Sequence, residues 1–125
     1  MFDSRRVLVV DDDREIRDIA TMRLEAAGYD VTSAIDGQDG MDMISKQMPD
    51  VIVMDLRMPR KDGMGMLTEL KARIDTKQIP VVMLSASVID ERRALDAGAR
   101  FFLSKPYKGA DLLSAVRVSL SESVV

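Results

Sequence analysis

Short runs of apolar, mostly β-branched residues recur along the chain, and each is followed by a stretch with the periodicity of a helix. The clearest runs are Val7–Val10, Val51–Met54 and Pro80–Leu84. Uninterrupted apolar runs of this length are typical of strands that are buried on both faces of a parallel sheet. Strands that alternate with helices indicate a doubly wound α/β fold. We therefore predict five parallel strands, joined by helices through right-handed crossovers.

The remaining elements follow from periodicity and from turn residues. Weaker strands are predicted at Asp30–Ser33 and Phe101–Leu103. Apolar residues at helical spacing, with glycine or proline near the boundaries, predict a helix after each strand. These helices are Arg14–Ala27 with Gly28 as its C-cap, a second helix with Met41, Ile44 and Met48 on one face, Gly63–Ile74 with Leu67, Leu70 and Ile74 inward, Ile89–Ala97 closed by Gly98, and Ala110–Leu120. The segment Ser119–Val125 resembles a frayed end rather than a linker, which favours a stand-alone protein.

Length and composition exclude several classes of function. The 125 residues correspond to one domain, residues 1–125, and contain neither cysteine nor histidine. The lack of cysteine excludes disulfides and thiolate chemistry, and the lack of histidine excludes histidine-ligated zinc and every histidine-dependent catalytic triad. A net charge of −3 with dispersed Lys and Arg argues against direct nucleic-acid binding. Because no apolar run reaches the length of a membrane span and no signal peptide precedes the first strand, we expect a cytoplasmic protein without membrane contact.

Acidic residues stand at the ends of two predicted strands. Asp11, Asp12 and Asp13 follow the first strand, and Asp55 ends the third. In an open α/β sheet, ligands bind in the crevice beyond the carboxyl ends of the strands. In a sheet wound so that the first and third strands are neighbours, Asp11, Asp12 and Asp55 would converge there. Like charges about 4 Å apart repel by ~4 kcal/mol at an effective dielectric of about 20. Carboxylates without His or Cys nearby favour a hard divalent ion, and Mg²⁺ fits best.

Simpler interpretations exist for each acidic residue taken alone. Asp55 could end its strand in an Asx turn. Asp12 and Glu15 have the spacing of a capping box, with aspartate in place of serine or threonine. Capping accounts for one acid of the first group, but not for the whole group together with Asp55. Sequence reasoning therefore favours a metal site.

Read in order, short motifs at the strand ends carry a resemblance to a known family. They are Asp11-Asp12 after the first strand, Asp55 after the third, Met58-Pro59 and Asp62-Gly63 just beyond it, Ser85-Ala86 after the fourth and Lys105-Pro106 after the fifth. Together they resemble the receiver domains of two-component response regulators, including the chemotaxis-type single-domain members. The resemblance covers essentially the whole chain and implies a flavodoxin-like sheet with the strand order 2-1-3-4-5.

The resemblance also implies a metal site. It makes Asp12 and Asp55 direct Mg²⁺ ligands, with the backbone carbonyl of Arg57 as a third. Asp11 would be an outer-shell ligand that acts through water. The carboxylates are the same ones that the strand ends bring together, so the family pattern and the reasoning from the residues agree on the cofactor.

Further roles implied by the resemblance concern phosphoryl transfer. Asp55 would be the phosphoacceptor, Ser85 the hydroxyl that bonds the incoming phosphoryl group, and Lys105 the cation that pairs with it. Phe102 falls where the family has its switch aromatic, and the Lys105-Pro106 bond is often cis in relatives. A carboxylate is a competent nucleophile toward phosphorus, and transfer depends mainly on positioning and on charge stabilisation.

The resemblance implies a signalling switch rather than an enzyme with an external substrate. The phosphoryl donor would be a sensor histidine kinase or a histidine phosphotransfer protein, and the output would act on an unknown protein or on an effector domain outside this chain. We hypothesise that phosphorylated Asp55 draws Ser85 inward, that Phe102 fills the vacated space, and that the surface of helix 4, strand 5 and helix 5 changes.

Several features depart from the family pattern or admit another interpretation. The segment 85–98 is about two residues shorter than expected, which affects the output face more than the chemistry. Arg57 and Ser87 stand where side chains flank the phosphoryl group in relatives. A haloacid-dehalogenase-type phosphatase would need an aspartate at position 57, and a pseudo-receiver would lack phosphoryl uptake. Ser85 could merely cap helix 4, and Lys105 could be a solvated loop lysine.

The ten methionines also have two interpretations. Methionine fills irregular gaps in cores, so most of these residues are expected to be packing residues. The alternative is that Met54, Met58, Met64 and Met66 line a groove for a partner protein.

Overall fold

The computed structural model describes residues 5–58 and 62–122. Pro59 of the Met58-Pro59 motif therefore lies outside the described residues. Strands and helices alternate along the chain, as the apolar runs predicted. They are β1 (Arg6–Val10), α1 (Arg14–Ala26), β2 (Asp30–Ala34), α2 (Gly37–Lys46), β3 (Val51–Asp55), α3 (Gly63–Ala72), β4 (Val81–Ser85), α4 (Asp90–Asp96), β5 (Phe101–Ser104) and α5 (Gly109–Glu122).

The five strands form one parallel sheet in the order β2-β1-β3-β4-β5, which confirms the predicted flavodoxin-like fold. The central strands β3 and β4 are buried along their whole length. This explains why their sequences are uninterrupted apolar runs rather than alternating ones. The order also makes β1 and β3 neighbours, so the residues that follow them share one crevice.

Two apolar clusters cover the two faces of the sheet, and alternate residues of each strand divide between them. Leu8 and Val10 of β1 join the cluster that contains α2 and α3 residues, whereas Val7 and Val9 join the cluster beneath α1 and α5. Ile52 and Met54 of β3 divide from Val51 and Val53 in the same way. This alternation is the geometry of a strand whose successive side chains point to opposite faces.

Some apolar positions predicted to face the core do not. Ile74 is 86% exposed, because α3 ends at Ala72 and the chain leaves the helix before Ile74 could turn inward. Met48 is 41% exposed for the same reason, since α2 ends at Lys46. The segment from Ser119 does not fray at its start, because α5 continues to Glu122 and residues 123–125 lie outside the described part.

The alternative that Met54, Met58, Met64 and Met66 line a groove for a partner protein is also wrong. Met54 and Met66 have no exposed surface, Met58 is buried, and Met64 is partly buried against the same core cluster. These side chains fill the space between the sheet and α3, which is the packing role that a flexible thioether suits.

An aspartate caps the start of α1, and glycines follow the ends of α1 and α4. Asp13 is the N-cap of α1, and its side chain accepts hydrogen bonds from the Glu15 and Ile16 backbone N–H groups. The proposed capping box at Asp12 is therefore wrong by one position, and Asp12 remains available for another role. The C-caps of α1 and α4 are Ala27 and Ala97, so the prediction of Gly28 as C-cap is wrong by one position. Gly28 and Gly98 follow directly, with positive φ angles of 98° and 110° that favour glycine. No helix within residues 5–58 and 62–122 is long and apolar enough to cross a membrane.

Candidate metal and phosphoryl site

Three carboxylates meet beyond the carboxyl ends of β1 and β3. Asp11, Asp12 and Asp55 each offer one oxygen, and these oxygens all lie within 4.8 Å of one another. Asp11 is 2% exposed and Asp55 is 8% exposed, whereas Asp12 is exposed. The donor set consists of hard oxygen ligands, which fits Mg²⁺. The convergence predicted from the strand ends is thus present in the fold.

Lys105 lies beside this acidic cluster and contacts two of its three carboxylates. Its ammonium lies 3.2 Å from Asp55 Oδ2 and 3.4 Å from Asp11 Oδ2, and its side chain is 17% exposed. The Lys105 backbone N–H donates to the Ser85 carbonyl at 2.8 Å, which fixes the end of β5 against the end of β4. The bond to Pro106 is cis. Lys105 is therefore not a solvated loop lysine.

Burial and charge act in opposite directions on these groups. Burial raises the pKa of Asp55 above its ordinary value, the Asp11 carboxylate raises it further, and the Lys105 ammonium lowers it only in part. Burial alone would lower the pKa of Lys105, but the Asp55 and Asp11 carboxylates outweigh it and leave the pKa above the ordinary value. The Lys105 ammonium thus supplies the positive charge that the clustered carboxylates require.

The loops that carry the carboxylates are held by specific contacts. Asp11 Oδ1 accepts the Asp13 backbone N–H at 2.9 Å, and the Arg17 guanidinium donates to the Asp11 carbonyl at 2.9 Å. After β3, the Gly63 N–H donates to the Leu56 carbonyl at 2.8 Å. A Cβ on Gly63 would lie 2.5 Å from the Asp55 carbonyl oxygen, so only glycine fits where α3 begins.

Ser85 lies at the end of β4, next to β3 and β5, and is 1% exposed. It does not cap α4, whose N-cap is Ile89 and has no side-chain cap. Its Oγ donates instead to Asp90 Oδ2 at 2.8 Å and accepts the Ser87 backbone N–H at 3.1 Å. The hydroxyl is therefore placed by two partners at the edge of the crevice.

Arg57 directs its side chain to the same partner as Ser85. Its Nε and Nη2 donate to Asp90 Oδ2 and Oδ1, both at 3.0 Å, and its backbone N–H makes a long 3.4 Å contact with Asp55 Oδ1. Sequence reasoning missed Asp90, which is fully buried and lies in the first turn of α4. A single aspartate beside Glu91 in a charged helix start gives no signal of burial.

The predicted switch aromatic is in β5. Phe102 pairs with Met83 of β4 and packs, partly buried, against the cluster that contains α2 and α3 residues. Phe101 packs partly buried against the opposite cluster, with the Arg100 guanidinium 5.0 Å from its ring centre. The two rings therefore lie on opposite faces of the strand, as predicted.

An apolar groove of about 440 Å³ opens beside Lys105. It runs between α1 and the segment after β5, and it is lined by residues that include Ile16, Ile19, Ala86, Pro106 and Tyr107. Burial raises the pKa of the Tyr107 phenol, although the Lys105 and Arg23 charges oppose this. The acidic crevice thus has an apolar surface on one side that a protein could contact.

Comparison with known proteins agrees with this geometry. Residues 7–117 match the family described as response regulator receiver domain. The chain belongs to this family. The resemblance read from the strand-end motifs is therefore confirmed, and so is the broad function, because receiver domains are the phosphoacceptor switches of two-component signalling rather than enzymes in the usual sense.

Solved structures of response regulators have the same fold over nearly the whole of this chain. It is 28% identical to a response regulator of Chloroflexus aurantiacus, with a TM-score of 0.91 over 95% of this chain and 99% of that one. It is 30% identical to the chemotaxis protein CheY4 of Vibrio cholerae, with a TM-score of 0.87 over 94% and 100%. NtrX of Brucella abortus is 29% identical with a TM-score of 0.89, and the match covers 97% of this chain but 28% of NtrX.

Proposed function

We propose that this receiver domain accepts a phosphoryl group on the Asp55 carboxylate and changes its α4-β5-α5 surface to control a partner. The observation that carries the proposal is the meeting of three carboxylates within 4.8 Å, beside a lysine that contacts two of them. No histidine is needed in this chain, because an ionised carboxylate attacks phosphorus without a general base. The donor supplies the phosphohistidine.

The transfer step would use the side chains of Asp55, Lys105 and Ser85. An Asp55 carboxylate oxygen attacks the phosphorus of a phosphohistidine, the P–N bond breaks, and its electron pair stays on the donor imidazole. Lys105 would move from the Asp55 carboxylate to a phosphoryl oxygen, and the Ser85 hydroxyl would donate to another. Hydrolysis reverses the change: water attacks phosphorus, inorganic phosphate leaves, and the Asp55 carboxylate is regenerated.

The acidic cluster would hold Mg²⁺ through Asp12, Asp55 and the Arg57 backbone carbonyl. The ion would supply charge stabilisation to the phosphoryl oxygens in transfer. Asp12 suits direct ligation, because within the described residues its carboxylate makes no hydrogen bond or ion pair. Both Asp11 oxygens already have protein partners, which favours a role for Asp11 through water.

Intact mass spectrometry after incubation with acetyl phosphate and Mg²⁺ tests phosphoryl uptake. We expect the wild type to gain the mass of one phosphoryl group and Asp55→Asn to gain none. Asp75→Asn is the matched control, because Asp75 is an exposed acid in the segment after α3. Equal uptake by Asp55→Asn and wild type would show that a different residue is the phosphoacceptor. No uptake by the folded wild type would favour the pseudo-receiver, and sustained release of phosphate from small phosphomonoesters would favour the phosphatase.

A histidine kinase or histidine phosphotransfer protein is the proposed donor, acting in the cytoplasm. Its phosphohistidine has to reach a crevice that is flanked by the apolar groove, in which Ile19 is 44% exposed. We expect Ile19→Asp to slow transfer from a phosphohistidine protein and to leave uptake from acetyl phosphate unchanged. Met22→Asp, an exposed position on the same helix that does not line the groove, should slow neither. Equal slowing of both reactions by Ile19→Asp would exclude docking at this groove.

A further inference from the structure

A buried carboxylate with no role in the proposed phosphoryl transfer lies next to Ser85. The Asp90 side chain is 1% exposed and stands in the first turn of α4. Its Oδ2 accepts from Ser85 Oγ at 2.8 Å and from Arg57 Nε at 3.0 Å. Its Oδ1 accepts from Arg57 Nη2 at 3.0 Å and lies 3.6 Å from Arg93 Nη1. Asp90 is therefore the centre of a small polar network that joins the segment after β3 to β4 and α4.

The network occupies the hydroxyl that phosphoryl binding would need. A serine hydroxyl has one proton to donate. In this structure the Ser85 proton goes to Asp90, and the hydroxyl oxygen accepts the Ser87 N–H at 3.1 Å. Ser85 cannot bond a phosphoryl oxygen through the same proton without giving up Asp90.

The hold on the hydroxyl is charge-assisted. Burial alone would raise the pKa of Asp90, but hydrogen bonds from Ser85 and Arg57, with the Arg57 and Arg93 charges, keep that pKa below its ordinary value. Hydrogen bonds to an ionised acceptor are roughly twice as strong as those between neutral groups. An exposed arginine thus stabilises a buried carboxylate that in turn fixes the Ser85 hydroxyl.

We propose that Asp90 is a positioning residue that competes with the phosphoryl group for the Ser85 hydroxyl and so favours the unphosphorylated state. This inference rests on the proposed function of Asp55. When Ser85 turns to the phosphoryl group, Asp90 keeps Arg57 and Arg93 but loses the hydrogen bond from Ser85, so the first turn of α4 loses this link to β4. Val88 and Ile89, which are 70% and 78% exposed, stand directly before that turn. The exchange would thereby couple the site to an apolar part of the surface near α4.

Binding of beryllofluoride, a mimic of the phosphoryl group on aspartate, measures the competition at equilibrium. We expect Asp90→Asn to bind beryllofluoride with Mg²⁺ about tenfold more tightly than wild type, because a neutral amide holds the hydroxyl less strongly. Asp96→Asn is the matched control: it makes the same change in α4, at an exposed residue paired with Arg92. Its affinity should equal that of the wild type.

Two further measurements separate competition from a general structural effect. In a Ser85→Ala background, Asp90→Asn should give no gain in beryllofluoride affinity. The Ser87 amide, which donates to Ser85 Oγ, is a local NMR reporter. In wild type its resonance should shift on beryllofluoride binding, and in unliganded Asp90→Asn it should already lie toward the bound position.

Each outcome bears on a different claim. Wild type that does not bind beryllofluoride would refute the proposed function itself. Wild type that binds, with an unchanged or weaker affinity in folded Asp90→Asn, would refute only the competition. The same holds if Asp90→Asn gives an equal gain without the Ser85 hydroxyl. Should Asp90→Asn not fold, the wild-type spectrum still decides, because unmoved Ser87 and Asp90 amides on binding would overturn the inference.

Discussion

Replacing Lys105 by methionine removes the cation that contacts two of the three clustered carboxylates. Methionine keeps an unbranched side chain of similar length, so the change removes charge rather than packing. Without the ammonium, Asp11 and Asp55 face each other with no compensating charge, and the variant should be less stable than wild type in the absence of Mg²⁺. In the presence of Mg²⁺ the difference should shrink, because the ion takes over the role of the lysine.

The structure bounds the change in Mg²⁺ affinity. A pair of unit charges at 3.2 Å, the distance from Lys105 to Asp55, attracts by about 5 kcal/mol at an effective dielectric of about 20 and by about 1 kcal/mol in bulk water. The crevice lies between these limits, because Asp55 is buried and Asp12 is exposed. In the wild type, a bound Mg²⁺ weakens at least one of the two ion pairs that Lys105 makes with Asp55 and Asp11. Replacing Lys105, which competes with the ion for these carboxylates, should therefore tighten Mg²⁺ binding by at least tenfold, or about 1.4 kcal/mol.

Calorimetric titration with Mg²⁺ gives the affinities directly, and thermal unfolding shows that each variant folds. Lys108→Met is the matched control, because it removes the same charge from an exposed position three residues away. It should change Mg²⁺ affinity little. Mg²⁺ binding by Lys105→Met that is no tighter than binding by Lys108→Met would refute the proposed competition between Lys105 and the ion. Uptake from acetyl phosphate should nevertheless be slower in Lys105→Met, since the proposed partner of the phosphoryl group is missing.

Three further predictions concern the loops around the site. Gly63→Ala should lower the free energy of unfolding by about 2 kcal/mol, because its Cβ would meet the Asp55 carbonyl, while Gly65→Ala in the same helix should raise it; denaturant unfolding measures both. Asp13→Ala should lower the free energy of unfolding by about 1 kcal/mol through the lost cap but keep Mg²⁺ binding, whereas Asp12→Ala should weaken Mg²⁺ binding and leave stability nearly unchanged; unfolding and titration experiments measure both effects. Arg57→Ala should change the rate of phosphate release more than Mg²⁺ affinity, because Arg57 would offer the ion only its backbone, and a larger change in affinity would contradict this.

Much of the fold was predictable because strands that are buried on both faces of a parallel sheet have uninterrupted apolar sequences. Val51–Met54 is apolar throughout since β3 has helices on both faces, and a strand of this kind is hard to mistake. The convergence of Asp11, Asp12 and Asp55 followed once β1 and β3 were taken as neighbours, as the family resemblance implied, because neighbouring parallel strands end at the same edge. Helix ends were less predictable: Ile74 and Met48 continue the apolar spacing of α3 and α2, although the helices stop before them.

The network around Asp90 was not predictable for a different physical reason. Arg57 precedes Asp90 by 33 residues and Ser85 precedes it by 5, and none of the three belongs to a periodic pattern. Aspartate is ordinarily exposed, so its burial depends on the tertiary placement of Arg57 and Ser85. Only the folded chain shows that the arginine predicted to flank the phosphoryl group directs its guanidinium to α4 instead.

The proposed switch depends on Asp55 taking the phosphoryl group at a magnesium site built from strand ends, and a crystal structure with Mg²⁺ and beryllofluoride would show whether it does. We expect beryllofluoride on the Asp55 carboxylate, an ion bound by Asp12 and Asp55, and fluorine contacts from Lys105 and the Ser85 hydroxyl. Beryllofluoride on any other carboxylate, or an ion bound away from Asp12 and Asp55, would contradict it.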